Sequence, residues 1–303
     1  MIKLQTNIQI DPSKVKIRYS DKIMVLGSCF ADSVGRKLQQ AGLDVCINPF
    51  GTLYNPRSIY RSIRLLETGS LLTEADCVQM GSGSNLICSF YHHTSFARPT
   101  AEEFLANANA RLKEASEFYH SCNKVIITFG TAWVYNFNGA EDYRGTAHLG
   151  QTVSNCLKRN AKEFTRERLT VSEITKLFAD IITPATSKDN KEFIFTVSPI
   201  RHFKDGAHGN QISKSTLILA IEELLNTETG KVRCDYFPSY EIVLDELRDY
   251  RFYAEDMIHP TDQTVSYIWE RFCDFAIPKS EHQTIAEKEK TWRQSQHRKL
   301  LFD

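Results

Sequence analysis

Nowhere in its 303 residues does this chain approach the roughly 20 consecutive apolar side chains that a bilayer-spanning helix needs. The first 20 residues also lack the uninterrupted apolar core of a secretory signal. Together these absences lead us to expect a cytoplasmic protein with no membrane partner. Neither sign of charge is in excess, since 37 Lys and Arg balance 37 Asp and Glu. A neutral chain exerts no general pull on polyanions, so nucleic acid is not an expected partner, and only a local basic patch is left open. The eight cysteines form no C-x-x-C pair and sit mostly among apolar neighbours, which favours buried free thiols over disulfides or zinc ligands. No set of residues has metal-ligand spacing. His92 and His93 are adjacent, and neighbouring side chains diverge on a strand. Neither a G-x-G-x-x-G after a strand nor a Walker motif is present, which argues against dinucleotide and nucleoside triphosphate binding. The expectation is a protein with no metal and no cofactor.

What is there reads as an ordinary globular chain, with 42% hydrophobic and 24% charged residues and enough length for one large or two small domains. Three apolar runs end in small or polar residues: Ile23 to Leu26 before Gly27-Ser28, Val125 to Ile127 before Thr128-Phe129-Gly130, and Phe193 to Val197 before Ser198-Pro199. Runs without period-two alternation suit strands covered on both faces, as in a parallel sheet. Helical patterns alternate with them over Cys29–Ala41, Pro56–Glu67, Ala101–Tyr119, Val171–Ile182, Gln211–Leu225 and Gln263–Phe275. This order predicts βαβ units, in which the residues following the strands share one edge of the sheet and ligands bind there. Gly69–Pro99 and Asn136–Glu163 interrupt the alternation and are read as insertions that shape a pocket near the site. From Lys279 onward, mixed charge around Ile285, Trp292 and Leu300 predicts a helix that clasps the body or a second copy of the chain.

Gly27-Ser28 sits directly after a strand and before a helix, where a serine either caps the helix or is presented as a nucleophile beside backbone N–H donors. Near the other end stands Asp256-Met257-Ile258-His259-Pro260. Its D-x-x-H spacing can place the carboxylate against the imidazole, fixing the tautomer for general-base work, while Pro260 holds the histidine off helical geometry and can begin the next helix. A structural turn histidine is the alternative. Arg201 can bind a carboxylate or phosphate bidentately, and His202 is a rival base without a close acid before Asp205. Cys29 is a rival nucleophile, expected to point elsewhere from such a turn.

Leu26-Gly27-Ser28-Cys29-Phe30-Ala31 carries the five letters of the GSCFA family name. Asn48 to Pro56, Phe129 to Tyr135, Thr196 to His202 and Tyr236 to Glu241 resemble further blocks of that family, over about residues 20 to 275. The GSCFA family in turn resembles the SGNH or GDSL-like hydrolases. That resemblance implies an α/β fold, a three-layer α/β/α sandwich with a mainly parallel sheet, over residues 1–278, with 279–303 a charged helical extension. It also implies a serine esterase acting on a small or carbohydrate-like ester, with Ser28 as nucleophile, His259 as base and Asp256 orienting it. By the same resemblance the oxyanion hole draws on the N–H groups of Ser28 and Gly51. An asparagine side chain usually completes it, but Ala132 stands at that position in Gly130-Thr131-Ala132-Trp133. Thr131, Asn48 and Asn55 are the candidate substitutes, with Thr131 preferred. Asn48, Asn55, Arg201 and His202 are expected around the substrate. A non-catalytic ligand-binding module of the same fold and a structural subunit are the alternatives.

Overall fold

The computed structural model describes residues 6–81, 83–139, 148–182, 191–227 and 234–302. In chain order they form β1 (Lys22–Gly27), α1 (Cys29–Gln40), β2 (Asp44–Ile47), α2 (Pro56–Thr68), β3 (Val78–Gln79), β4 (Ile87–Cys88), α3 (Ala101–Ser121) and β5 (Lys124–Phe129). There follow β6 (Trp133–Phe137), β7 (Thr152–Val153), β8 (Phe164–Arg168), α4 (Val171–Ile182), β9 (Glu192–Val197) and α5 (Gly206–Asn226). The chain ends in β10 (Cys234–Phe237), α6 (Ser239–Glu241), α7 (Asp262–Ala276) and α8 (His282–Phe302).

Five strands make one sheet in the order β10-β9-β5-β1-β2, every pair parallel. The three expected runs are its central strands, and their sequences are buried almost throughout. Successive side chains enter opposite layers. Met24, Leu26, Val125, Ile127, Phe193 and Phe195 pack with α2 to α5. Ile23, Val25, Ile126 and Ile194 pack with α1 and α7 on the other face. This is the physical reason the runs lack alternation: both faces leave water, each buried Val, Ile or Phe contributing about 1.5–3 kcal/mol. From β1 the chain turns to β2 on one side and later to β5 on the other, so the strand order reverses between β1 and β5. In doubly wound sheets that reversal opens a crevice at the carboxyl edge.

Local chemistry sets the helix ends. Asn55 caps α2 by accepting from the Ser58 N–H at 2.8 Å, Pro56 occupies its first turn, and Gly69 closes it in the left-handed region at φ 60°. Thr100 and Thr261 cap α3 and α7 in the same way. Pro260 does not start α7 as expected. It forms a bridge with Tyr253, and the helix begins two residues later.

The edge strands β2 and β10 were not expected, because they are four residues long, only partly buried and carry Asp and Cys among their apolar positions. Helix α5 begins at Gly206 rather than Gln211, its first turns holding two glycines and an asparagine that disguise helical periodicity. The expected helix at the C-terminus is α8; its Ile285 is buried beside α1 and α7, and Trp269 Nε1 donates to Glu289 Oε1 at 2.7 Å. Both insertions pack together in a third apolar cluster around Phe90, Phe104, Phe137 and Leu157. The second also joins β6, β7 and β8 in an antiparallel sheet whose register sets Tyr135 opposite Arg166. All eight cysteines are free. Among the described residues no helix is long and apolar enough to cross a membrane.

Candidate active site

Ser28 leaves β1 at the reversal point as the N-cap of α1, with extended backbone (φ −71°, ψ 179°), and its Oγ accepts from the Phe30 N–H at 3.3 Å. The helix-cap reading and the nucleophile reading therefore coexist: accepting from Phe30 leaves the hydroxyl proton available, and the helix N-terminus stabilises negative charge on Oγ. The sharp exit from the strand depends on Gly27. Its φ of +142° suits glycine alone, and its N–H donates to Asn48 Oδ1 at 2.8 Å.

A cavity of about 490 Å³ opens at this edge, and Ser28, Asn55, Thr131, Arg201, His202 and His259 all line it. Residues separated by up to 231 positions in the chain (259 − 28) thus share one space. Ser28 is 1% exposed at its floor, whereas the His259 side chain is 47% exposed. The loop after β5 comes close to the serine, since a Cβ built on Gly130 would lie 3.5 Å from the Ser28 Cβ.

The D-x-x-H segment is a turn organised by its own carboxylate. Asp256 Oδ1 accepts the N–H groups of Ile258 and His259, both at 2.9 Å, and Oδ2 lies 2.6 Å from His259 Nδ1. Met257 takes the left-handed conformation at φ 57° between them, and Ala254 N–H closes the turn on His259 C=O at 2.7 Å. The His259 backbone N–H first, then its imidazole and the Ile258 N–H, pull the Asp256 pKa down to about 2. An ionised carboxylate only accepts, so Nδ1 carries the proton and Nε2 is left as the basic nitrogen.

His202 is placed differently. Burial, reinforced by the Lys214 ammonium and by His259, pushes its pKa down to about 4, although Asp205 opposes this. Asp205 instead forms an ion pair with Arg166, and among the described residues His202 Nε2 is buried without a hydrogen-bond partner. Beneath the cavity floor, the fully buried Lys214 donates to the carbonyls of Gly130 (2.7 Å) and Ser198 (2.6 Å), tying together the loops after β5 and β9. Burial brings its pKa down to about 7.

Three sequence candidates lie outside the cavity lining: Asp256, which meets it only through His259, and Asn48 and Gly51. Asn48 is spent on structure, accepting from Gly27 and donating from Nδ2 to Asp32 Oδ1 at 2.6 Å. The Gly51 N–H already donates to Asn48 C=O at 2.8 Å, and a Cβ on Gly51 would stand 2.3 Å from His93 Cβ, so this glycine serves close packing. Thr131 lines the cavity, but its Oγ1 accepts from the Trp133 N–H at 3.2 Å and meets Ser213 Oγ at 3.1 Å. Asn55 lines it too; Oδ1 is held by the helix cap, while Nδ2 has no hydrogen-bond partner among the described residues. Contrary to expectation, Cys29 also faces the cavity, with Sγ 3.5 Å from the Tyr54 hydroxyl. Among the described residues the first insertion contributes no lining residue, and the second supplies Val153 to Cys156.

Sequence reasoning missed one wall. Trp133 and Tyr135 project from β6 at period two, Arg166 lies across from them on β8, and Lys204 reaches the Tyr135 hydroxyl at 2.8 Å. The alternation Trp133-x-Tyr135 was readable, but the pairing with β8 is not local. Among the described residues no group of three or more His, Cys, Asp or Glu side chains is placed to hold a metal ion.

A doubly wound parallel α/β protein, with a serine at the reversal point and, on the same crevice, a histidine held by a carboxylate behind it, is the class these features define. The chain belongs to the GSCFA family, whose model matches residues 22–272. No curated protein and no solved structure matches it.

Proposed function

We propose that this protein is a serine hydrolase of the SGNH-like type that cleaves an acyl ester. The observation that carries the reading is that Ser28 and His259 line one cavity, with His259 oriented by Asp256. In the proposed reaction His259 Nε2 takes the Ser28 hydroxyl proton as Oγ forms a bond to the ester carbonyl carbon. The tetrahedral intermediate collapses, the C–O bond to the alcohol breaks, and the proton passes from His259 to the leaving alcohol. Water, deprotonated by the same imidazole, then hydrolyses the acyl-enzyme. No cofactor is needed for this sequence.

For the oxyanion we assign the Ser28 N–H at the start of α1 and Asn55 Nδ2, rather than Gly51 or Thr131, whose backbone N–H groups donate to Asn48 and Tyr54 and whose threonine hydroxyl is already tied to Trp133 N–H and Ser213. Asn55→Asp separates the two duties of this residue, since aspartate caps a helix as well as asparagine but offers no N–H donor. Turnover of p-nitrophenyl acetate by this variant is expected to drop by about 10²–10³ in kcat with thermal stability held; unchanged kcat would remove Asn55 from the hole.

The reading as a whole is tested with a fluorophosphonate probe, which reacts with a serine aligned on a basic imidazole. Peptide mapping is expected to place the label on Ser28, with labelling lost in His259→Ala and retained in Cys29→Ser. Alkylation of Cys29 by iodoacetamide that stops turnover, with Cys29→Ser folded but inactive, would make the cysteine the nucleophile. A folded protein that neither reacts with the probe nor turns over any ester would be a ligand-binding module of this fold.

A further inference from the structure

The chain as a whole is neutral, yet the cavity is not. Among the described residues, Arg166, Arg201 and Lys204 line it against a single carboxylate, Asp205, which is itself paired with Arg166. Arg201 lies with its guanidinium 4.3 Å from the Phe203 ring centroid and 5.7 Å from that of Tyr253, and makes no side-chain hydrogen bond or ion pair with the described residues. Stacking of this kind fixes the plane of a guanidinium and leaves its fork of N–H donors to a ligand.

The missed wall adds a second, independent sign. Arg166 stacks on Trp133 at 4.0 Å, and both Arg166 Nε and Trp133 Nε1 are buried without hydrogen-bond partners among the described residues. These two groups only donate. Buried donors left unpaired carry their full desolvation penalty, which an acceptor-rich ligand relieves. His202 Nε2 is also unpartnered on the same cavity among the described residues, as donor or acceptor according to its tautomer.

We infer that the ester cleaved here is anionic, carrying a carboxylate or phosphate near its scissile bond that Arg201 grips bidentately while the Arg166–Trp133 wall donates to the lone pairs this grip leaves. This rests on the hydrolytic reading above and specifies its substrate class. A neutral ester would leave Arg201 unpaired and the wall donors unsatisfied in a site closed by substrate. An anionic one gains charge-assisted hydrogen bonds, which are about twice as strong as neutral ones.

Three aryl acetates test it on the full chain: phenyl acetate, 3-acetoxybenzoate and 3-acetoxyphenyl phosphate. The expected result is a kcat/KM at least about 10-fold higher for one or both anionic esters than for phenyl acetate, an advantage that shrinks with added salt. Whichever of the two is preferred distinguishes carboxylate from phosphate. Arg201→Gln should bring the ratio of anionic to neutral ester close to one, and Arg201→Lys, which keeps charge without the fork, should restore it in part. Equal kcat/KM for all three esters, or an anion preference untouched in Arg201→Gln, overturns the inference and leaves the hydrolase reading standing. Calorimetric titration of Ser28→Ala with benzoate and phenyl phosphate separates the remaining case. Binding that is lost on adding Arg201→Gln, in a protein that turns over no ester, supports the anion site and defeats the hydrolytic step, whereas absence of both binding and turnover defeats both.

Discussion

His259→Ala is expected to lower kcat for ester hydrolysis by about 10⁴-fold or more, and Ser28→Ala by as much, with the double variant no worse than either alone. Non-additivity is the informative part. A nucleophile and its base act as one unit, so removing the second member takes nothing further from a step that has already been lost. The folded state should be nearly indifferent to the histidine change, because the imidazole is about half exposed and its main partner, Asp256, is held by two backbone N–H groups that remain. His202→Ala serves as the contrast. Its imidazole has no carboxylate partner to orient it, and the effect should fall mainly on KM. Steady-state kinetics on matched, folded variants read the outcome. Loss of kcat in His202→Ala with only KM altered in His259→Ala would reverse the assignment of the base.

Gly27→Ala should destabilise the protein by about 3 kcal/mol or more, measured as a shift in the urea midpoint at unchanged slope. Two costs coincide at this residue. Its φ of +142° lies where a side chain is strained, and an added Cβ would stand 2.2 Å from the carbonyl oxygen of Thr128 on the neighbouring strand. That atom is backbone in the middle of the sheet and has little freedom to yield. Gly69→Ala is the control: it also has positive φ, at 60°, but its added Cβ meets only the Ser116 hydroxyl at 3.4 Å, so it should cost about 1 kcal/mol. Equal losses in the two variants would show that the close approach of β1 to β5 contributes nothing. The same substitution should also move Ser28, the next residue, and so depress turnover in whatever protein remains folded.

Both predictions concern residues whose motifs are legible in the amino-acid sequence. Ile23 to Leu26 followed by Gly27-Ser28 has the composition of a strand buried on both faces, and a glycine and a capping residue after it mark the turn into a helix. The Asp256-x-x-His259 spacing is legible for a related reason, since both halves of the pair lie within one turn and the carboxylate bonds to the backbone of its own segment. Local sequence was enough for the three central strands, for most helix spans and for the identity of these polar groups.

Relations between distant segments were settled only by the tertiary structure. Parallel pairing gives β2 and β10 their place, though four residues with mixed polarity carry little signal alone. Gly51 and Asn48 sit in a suggestive block, yet hydrogen bonds to each other and to Gly27 and Asp32 remove them from the cavity, while Asn55, a few residues on, lines it with Nδ2 unpartnered among the described residues. The wall of Trp133, Arg166 and Lys204 arises from the pairing of β6 with β8 and from the loop after β9, three segments brought together by the fold. A periodic pattern records which side of its own element a residue occupies, because that depends on the geometry of a few consecutive peptides. Which donors are already satisfied, and therefore which remain for a substrate, depends on partners tens or hundreds of residues away, and only the packed chain decides it.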